Sequence, residues 1–404
     1  MSSEVTGLTI GVVREHRDGE RRVAMTPAAL APLLKAGARV LIEQGAGESA
    51  GFSDQAFAEK GGEIVGRSDA IAARVLLRVQ VDQDAVAGTH PGQIVIGLAT
   101  PLAGVPTVKD IAERGATLFA MELVPRTTRA QAMDALSSQA NIAGYKAVLL
   151  AAGELPKMFP LLTTAAGTLP PARVLVVGAG VAGLSAIATA RRLGALVEAY
   201  DVRPAVKEEV ESLGARFVEL PLDTGQEGGG SGAYAQQMSE ETLRKQQELL
   251  SKTVAGSDVV ITTAQVQGAK APVIVSTAMV DQMTPGSVIV DLAAEQGGNC
   301  EVTVEGQTID HGGVKVIGPT NVPSSIPTHA SLVYAKNVVN LLQLMLHDGL
   351  IDLDVDDDIV HGTLVARDGE IVHARVREVY GLPVAAAPAP APPAPESGTE
   401  EVPA

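Results

Sequence analysis

Three glycines at positions 178, 180 and 183 have the G-x-G-x-x-G spacing that suits the binding of a pyrophosphate. In this motif the first glycine permits a tight turn, the second lets the backbone approach the phosphates, and the third lets a helix pack closely on a strand. The N-terminus of the following helix offers free N–H groups and the positive end of its dipole to the anion. The predicted contacts in this turn are Gly178, Gly180, Val181, Ala182 and Gly183.

The residues around this turn have the order of a strand, a helix and a second strand. Residues 173–177 are mostly aliphatic and predict a short buried strand before the turn. Residues 184–193 form an alanine-rich run that ends at Gly194, a typical stop signal for a helix. Residues 196–200 predict the next strand, which leads directly to Asp201. The motif therefore lies in the context that a dinucleotide-binding unit requires.

Asp201 follows the glycines by about 20 residues, the spacing at which an acid accepts hydrogen bonds from a ribose 2′-hydroxyl. A carboxylate there repels a 2′-phosphate, which favours NAD(H) over NADP(H), although the nearby Arg203 weakens that preference. A glycine-rich turn of some other α/β domain is the alternative. A phosphate-binding P-loop is excluded because Leu184 occupies the place of its lysine.

Composition and charge limit the classes of protein to which the chain can belong. Its 404 residues suffice for two domains, and 46% hydrophobic residues suit packed cores. A net charge of −16 and the lack of a basic cluster argue against a nucleic-acid partner. The one cysteine, Cys300, suits a reducing compartment, so we expect a cytoplasmic protein. We predict no signal peptide and no membrane span, since no run of about 20 apolar residues lacks a charge or a helix breaker.

Strands and helices alternate along the chain, a pattern typical of parallel sheets flanked by helices. In the first 125 residues, strands are predicted at 8–13, 40–43, 75–79, 94–98 and 117–120, and helices at 27–35, 54–60 and 108–114. Beyond the glycine motif, strands are predicted at 216–219, 258–262, 287–291 and 315–317. We therefore predict an α/β protein with two doubly wound, Rossmann-like parallel-sheet domains joined by long helices.

Two long helices are expected to connect these domains. Residues 126–152 and 329–347 both have apolar residues at helical spacing, and the second helix would cross back to the first domain. Residues 350–383 predict a short β-rich closing segment. The predicted domains are residues 1–125 plus 335–383, residues 126–334, and a disordered Pro/Ala-rich tail at 384–404.

Two other stretches bear on ligands. Residues 223–234 are rich in glycine, should be mobile, and end at Tyr234. A lid that closes over a cofactor and an inert surface loop are both open interpretations of them.

The sequence predicts no metal site. The seven histidines lack the spacing of metal ligands, and residues 352–363 depart from a calcium-binding loop at its sixth and twelfth positions.

Several stretches together resemble one family, the NAD(H)-binding alpha component of proton-translocating NAD(P) transhydrogenase. They are IGVVREHRDGERRVAMTP, GAGESAGFSD, PRTTRAQAMDALSSQ, VVGAGVAGLSAIATARRLGALVEAYDVRP and VIVDLAAEQGGNCE, and the resemblance covers residues 8–383. The resemblance implies that the nicotinamide and its ribose are held by Arg126, Gln131, Asp134 and Ser137. It implies further contacts at Thr127, Thr128, Asp201, Val202 and Arg203, and at Ala233 and Tyr234 of a loop that folds over the nucleotide. Independently of the resemblance, the predicted strand at 258–262 leads into Thr263, Ala264, Gln265 and Val266, the strand end that lines a ribose in such sheets.

The resemblance also implies a reaction and partners. A hydride would pass directly from NADH on this chain to NADP⁺ on a separate NADP(H)-binding component. The residues around the nicotinamide would position it, because hydride transfer between two such rings needs no acid, base or metal. A separate membrane-spanning component would move the proton and hold this chain at the inner membrane as a peripheral protein. A homodimer is also expected.

Alanine dehydrogenase resembles the chain in the first and third of these stretches. That enzyme needs a lysine and a histidine to bind and deprotonate its substrate, and these positions align with Gln80 and Gly97 here. Without a general base an amino acid cannot be oxidised by that route, which favours the transhydrogenase. A non-catalytic NAD-binding or regulatory module is the third alternative.

Overall fold

A computed structural model describes residues 7–219, 240–347 and 349–383. The strands are β1 Thr9–Val12, β2 Arg39–Glu43, β3 Glu63–Val65, β4 Val75–Gln80, β5 Ile94–Leu98, β6 Thr117–Ala120, β7 Leu162–Thr164, β8 Gly167–Leu169, β9 Arg173–Val177, β10 Leu196–Tyr200, β11 Arg216–Phe217, β12 Val259–Thr262, β13 Val288–Asp291, β14 Thr308–His311, β15 Val314–Ile317, β16 Leu346–His347, β17 Leu350–Ile351, β18 Leu364–Arg367 and β19 Glu370–Ile371.

The α-helices are α1 Ala31–Lys35, α2 Asp54–Ala58, α3 Arg67–Ile71, α4 Gln83–Gly88, α5 Pro106–Glu113, α6 Ala135–Glu154, α7 Val181–Arg192, α8 Lys207–Ser212, α9 Glu240–Ala255, α10 Thr277–Val280, α11 Pro327–Met345, α12 Asp358–Thr363 and α13 Ala374–Val379. Short 3₁₀ helices lie at Pro27–Ala29, Glu48–Ala50, Pro101–Ala103, Met121–Leu123, Thr128–Met133, Pro204–Val206, Ala294–Gln296 and Val322–Ser325.

The first sheet has eight strands in the order β19-β18-β6-β5-β4-β1-β2-β3. The pairs formed among β1 to β6 are parallel, and β18 and β19 add an antiparallel edge. Consecutive residues of a strand point to opposite faces, and both Leu76 and Leu77 are buried. Helices therefore cover both faces of this sheet, which explains its continuous apolar strands.

The second sheet has seven strands in the order β11-β10-β9-β12-β13-β15-β14 and is parallel except for β14. From β9 the chain runs outward to β10 and β11, then returns to β12 on the other side of β9. The carboxyl ends of β9 and β12 therefore meet at a topological switch point, the usual ligand site of such sheets. The two parallel-dominated sheets confirm the predicted fold class, whereas the predicted domain boundaries stay predictions.

Helices α6 and α11 join the two halves. Helix α6 places Ala135 in the core of the first sheet and Ala147 and Val148 in that of the second. Helix α11 packs on the first sheet, where the hydroxyl of the fully buried Tyr334 donates to the carbonyl of Arg78 at 2.7 Å. Helix α6 thus belongs to both cores, and its first turn lies at the cleft between the sheets.

A polar loop at residues 17–22 also ties the halves together. The buried Arg22 guanidinium donates to Glu20 through Nε (2.8 Å) and Nη2 (2.6 Å), and to Gln139 Oε1 of α6 (2.9 Å). It also donates to Asn321 Oδ1, and Asn321 Nδ2 donates back to Glu20 at 3.0 Å. Because a buried charge left without partners is costly, this network favours one relative placement of the two sheets.

Several predicted helices begin at different residues from those expected, and the differences at α6 and α7 bear on the site. Residues 126–134 are not part of α6, because Asp134 caps the helix by accepting a hydrogen bond from Ser137 N at 2.8 Å. Instead a 3₁₀ helix occupies Thr128–Met133. Helix α7 begins at Val181, inside the glycine motif, and not at Leu184.

The prediction of a β-rich segment at 350–383 was wrong in part. The short strands β17, β18 and β19 are present, but helices α12 and α13 lie between and after them. The α12 N-terminus is capped by Asp357, which accepts from Ile359 N and Val360 N. Strands β3, β7, β8 and β14 were not predicted, and all four are short or only partly buried. The helix predicted at 329–347 ends at Met345, and its last two residues form the short strand β16 instead.

Within the described ranges, no helix combines the length and the apolar character needed to cross a membrane. In the same part of the chain, no group of three or more His, Cys, Asp and Glu side chains is arranged to hold a metal ion. Cys300 is a free, buried thiol, and its burial raises its pKa to about 11.

Candidate functional site

A cavity of about 950 Å³ lies at the switch point of the second sheet, facing the segment that precedes α6. Most of the site residues expected from the sequence line it, namely Arg126, Thr127, Thr128, Gln131, Asp134, Ser137, Gly178, Gly180, Val181, Asp201, Val202, Arg203, Ala264 and Val266. Ala182 and Gly183 are not among its lining residues, and Ala233 and Tyr234 lie outside the described residues. The contacts of all these residues with a cofactor stay predictions.

The three glycines of the turn differ in what surrounds them. A Cβ atom on Gly183 would lie 1.8 Å from the Gly178 carbonyl oxygen, so only glycine lets α7 approach the turn this closely. Gly178 has a φ of +96°, and its Cβ would lie 2.6 Å from Thr263 Oγ1. At Gly180 a Cβ would meet nothing within 4 Å. The protein itself therefore does not require glycine at 180, whereas a ligand group that approaches the backbone there would.

The start of α7 suits an anion. Gly180 is the N-cap residue and supplies no side-chain acceptor to the first turn of the helix. The N–H groups of that turn are thus available to a ligand, with the positive end of the helix dipole behind them. Gly180 and Val181 both line the cavity, so a pyrophosphate fits this end of α7.

Asp201 is bound on both carboxylate oxygens. Oδ2 accepts from Ala179 N at 2.7 Å and from Arg203 Nη2 at 2.9 Å, while Oδ1 accepts from Arg203 N and Nε at 2.8 and 3.0 Å. Burial alone would raise the pKa of Asp201, but the hydrogen bonds from Arg203 and Ala179 lower it. The carboxylate is therefore ionised yet partly neutralised, which reduces the repulsion of a 2′-phosphate on which the preference for NAD(H) rests.

The segment before α6 supplies the other end of the cavity. Asp134 Oδ2 accepts from Ser137 Oγ at 2.5 Å, so the capping interaction also fixes two lining side chains. The Arg126 guanidinium and the Gln131 amide make no hydrogen bond or ion pair within the part of the chain that the structure describes. Donors of this kind, held on a fixed backbone, are free to bind a ligand.

A second, more polar cavity of about 510 Å³ adjoins the first and shares Pro125, Arg126, Asp134, Gln265 and Val266 with it. Its other lining side chains include Glu122, Gln267, His373 and Arg375. Glu122 Oε1 accepts from Ala99 N at 2.9 Å and from Thr100 N, whereas its buried Oε2 has no partner among the described residues. Burial raises the pKa of Glu122 to about 7, so its charge is partly suppressed near neutral pH.

The positions aligned with the alanine dehydrogenase lysine and histidine hold no base. A Cβ on Gly97 would lie 2.8 Å from both the Arg78 carbonyl oxygen and Val81 Cγ2, so the backbone leaves no room for a side chain there. Gln80 is half-buried at the end of β4.

The strand end at residues 263–266, predicted to line a ribose, also contributes Thr263 and Gln265 to the cavity lining. Several other lining residues were not predicted as site residues. Pro272, Ile274, His373 and Arg375 come from segments without a recognisable motif. Only the folded chain brings them to the cleft.

Comparison with known proteins agrees with this geometry. The family model described as alanine dehydrogenase/PNT, N-terminal domain, matches residues 11–143, and the model of the C-terminal domain matches residues 147–374. The chain belongs to the alanine dehydrogenase/PNT family.

Within that family, the chain is similar to transhydrogenase subunits, as its sequence motifs predicted. It is 44% identical to an NAD(P) transhydrogenase subunit alpha polypeptide of Rhodospirillum rubrum, over 91% of this chain and 98% of the relative. It is 42% identical to a solved transhydrogenase from Sinorhizobium meliloti, with a TM-score of 0.83 over 90% of this chain and 100% of the other. Identity to the alanine dehydrogenase of Mycobacterium tuberculosis is 29%, over 93% of this chain and 98% of that enzyme.

Proposed function

We propose that this chain is the NAD(H)-binding component of a proton-translocating NAD(P) transhydrogenase. The observation that carries the proposal is that one cavity joins the glycine turn at the start of α7 to Arg126, Gln131, Asp134 and Ser137. Its volume of about 950 Å³ is near the upper end of the range usual for ligand sites, as an extended dinucleotide requires. The names of the transhydrogenase relatives support the same function.

The residues of the cavity have distinct roles in this proposal. Asp201, Val202 and Arg203 lie at the adenosine end, and Gly180 and Val181 bind the pyrophosphate. The segment before α6 positions the nicotinamide. Bound NADH would supply the hydride, and the protein would hold the ring at a fixed distance from its acceptor and exclude water. Arg126, Gln131, Asp134 and Ser137 are therefore positioning residues.

The second cavity is the place for the acceptor to enter. It adjoins the first cavity at the nicotinamide end, where Arg126 and Gln265 line both. Arg126 and Arg375 have no ion-pair partner among the described residues, and they outnumber the lining carboxylate Asp134, because Glu122 is only partly ionised near neutral pH. This surplus of positive charge suits the phosphates of NADP⁺ held on a separate component. A membrane-spanning component would move the proton, with this chain as a peripheral, cytoplasmic homodimer.

The test is a mixture of the purified chain with NADH and an NADP⁺ analogue of distinct absorbance, with and without the NADP(H)-binding component. We expect tight NADH binding by the chain alone, and reduction of the analogue only when the component is added. Turnover with alanine and NAD⁺ would instead identify an amino-acid dehydrogenase. NADH binding without turnover in any mixture would leave a non-catalytic module.

A further inference from the structure

One wall of the first cavity is formed by two backbone segments that lack regular structure. Thr263, Ala264, Gln265 and Val266 follow β12, and Pro272 and Ile274 follow a few residues later. We call these six residues the Ala264 wall. Loop backbone is ordinarily the most adaptable part of a site, so a fixed wall needs support from behind.

Thr263 Oγ1 donates to the Gly178 carbonyl oxygen at 3.0 Å and Gln265 Nε2 to the Leu292 carbonyl oxygen at 2.6 Å, but the residue that binds both segments is the buried Asn299. Asn299 Nδ2 donates to the Ala264 carbonyl oxygen at 2.8 Å, and Asn299 Oδ1 accepts from Ala264 N at 2.9 Å. The same Nδ2 also donates to the Pro272 carbonyl oxygen at 2.8 Å. The Asn299 backbone carbonyl accepts from Ile274 N at 2.8 Å and Val275 N at 2.9 Å. Asn299 therefore binds both segments of the wall at once.

Asn299 is itself held by a buried carboxylate at the end of β13. Asp291 Oδ2 accepts from Asn299 N at 2.8 Å and from Thr303 Oγ1 at 2.8 Å, while Oδ1 accepts from Thr262 Oγ1 at 2.8 Å. Both Asp291 and Asn299 are fully buried, and neither lines the cavity. The support is therefore rigid on both sides, anchored to the sheet at one end and to the wall at the other.

We propose that Asn299 is a positioning residue that sets the shape of the Ala264 wall and thereby the affinity for the dinucleotide. The proposal rests on the proposed function, since it assumes that NADH occupies this cavity. An amide is required at 299 because it must donate to two carbonyls and accept from one N–H on the same side chain. A carboxylate of the same shape can accept from Ala264 N but cannot donate to Ala264 and Pro272.

The test compares Asn299→Asp with Thr303→Val, which removes one hydrogen bond to Asp291 from the same turn but leaves the contacts to the wall intact. NADH binding is measured by calorimetry well below the unfolding temperature of each variant, and hydride transfer is measured at saturating NADH. We expect the NADH Kd to rise about tenfold or more in Asn299→Asp and less than about threefold in Thr303→Val. We expect the transfer rate at saturation to fall less than the affinity does.

Equal NADH affinities in the two variants, or a loss of affinity that only follows the loss of stability, would overturn the role of Asn299. If the wild-type chain binds no NADH, the proposed function fails instead, so the two failures are distinguishable. Should Asn299→Asp not fold, hydrogen exchange of the wild type still decides. Amides of Ala264, Ile274 and Val275 should exchange slowly without NADH, and exchange at the rate of open loops would refute the proposal.

Discussion

At the scale of single residues, the buried acid Glu15 couples stability to pH. Glu15 Oε1 accepts from Val79 N at 2.6 Å, and Oε2 lies 3.2 Å from Arg78 Nη2. Burial raises its pKa to about 7 despite the attraction of Arg78. An acid whose pKa is higher in the folded state than in the unfolded state makes the protein less stable as pH rises. The loss of unfolding free energy begins near the pKa of the unfolded state, about 4.3, and is complete above the pKa of the folded state.

Glu15→Gln should remove this dependence. Relative to the variant, the wild type should lose up to about 3 kcal/mol of unfolding free energy between pH 5 and pH 8, from 1.36 kcal/mol per pKa unit. Urea unfolding at the two pH values measures the difference. The exposed Glu305→Gln, which removes one carboxylate from the surface, is the control. A parallel pH profile for Glu15→Gln and wild type would contradict the prediction.

Residue-scale prediction from the sequence was good where one residue type satisfies one local requirement. Gly178 and Gly183 are needed for turn geometry and close packing, and both requirements are visible in the motif spacing. Asp201 was identified by its distance from the glycines, but its pairing with Arg203 on both oxygens required the folded backbone. Asn299 lies in the quoted stretch VIVDLAAEQGGNCE, but it binds Ala264 and Glu122 binds Ala99, each far away in the chain, so no local pattern shows these contacts.

At the scale of elements, two glycine substitutions at the start of α7 should have different effects, one on helix packing and the other on ligand binding. Gly183→Ala places a Cβ against the Gly178 carbonyl oxygen, so α7 must shift and stability should fall by about 2 kcal/mol or more. Gly180→Ala adds a Cβ in open space, so stability should change by about 1 kcal/mol or less. NADH affinity should nevertheless fall about tenfold or more in Gly180→Ala, because the methyl group takes the place of the pyrophosphate.

Urea unfolding and NADH calorimetry on the two variants check this contrast. Normal NADH binding by Gly180→Ala would place the pyrophosphate elsewhere, whatever the stability of the protein. Full stability of Gly183→Ala would show that α7 can move away from the turn without cost.

Element boundaries were predicted less well than element types. The central strands were predicted well because they are buried on both faces, and a strand of this kind is a continuous aliphatic run in the sequence. The start of α6 depends on Asp134 acting as a cap, and apolar spacing alone extends the helix backward through residues 126–134. Edge strands such as β3 bury little surface and leave a weak pattern.

At the scale of the whole molecule, the surplus of positive charge in the second cavity should matter only when a partner is present. Arg375→Gln should lower the rate of hydride transfer to the NADP(H)-binding component by about tenfold at low salt, and less at high salt. The NADH Kd of the chain alone should change less than about twofold, because Arg375 does not line the first cavity. Stopped-flow mixing with the component and calorimetry measure the two quantities.

Arg192→Gln is the matched control, since it removes the same charge from the exposed C-terminal end of α7. If both substitutions lowered the rate of hydride transfer equally, the overall charge of the chain, and not the second cavity, would steer the partner. An equal loss of NADH affinity and of transfer in Arg375→Gln would place this arginine in the cofactor site itself.

The buried thiol of Cys300 offers a practical route to the motions of the cleft. A thiol with a pKa of about 11 and no access to solvent reacts poorly with alkylating reagents, and the sequence contains no other cysteine. Glu59→Cys on the first half and Glu209→Cys on the second would therefore accept spin labels or dyes against a silent background. The distance between such probes, measured with and without NADH while Cys300 stays in place, would show whether the two halves move relative to each other.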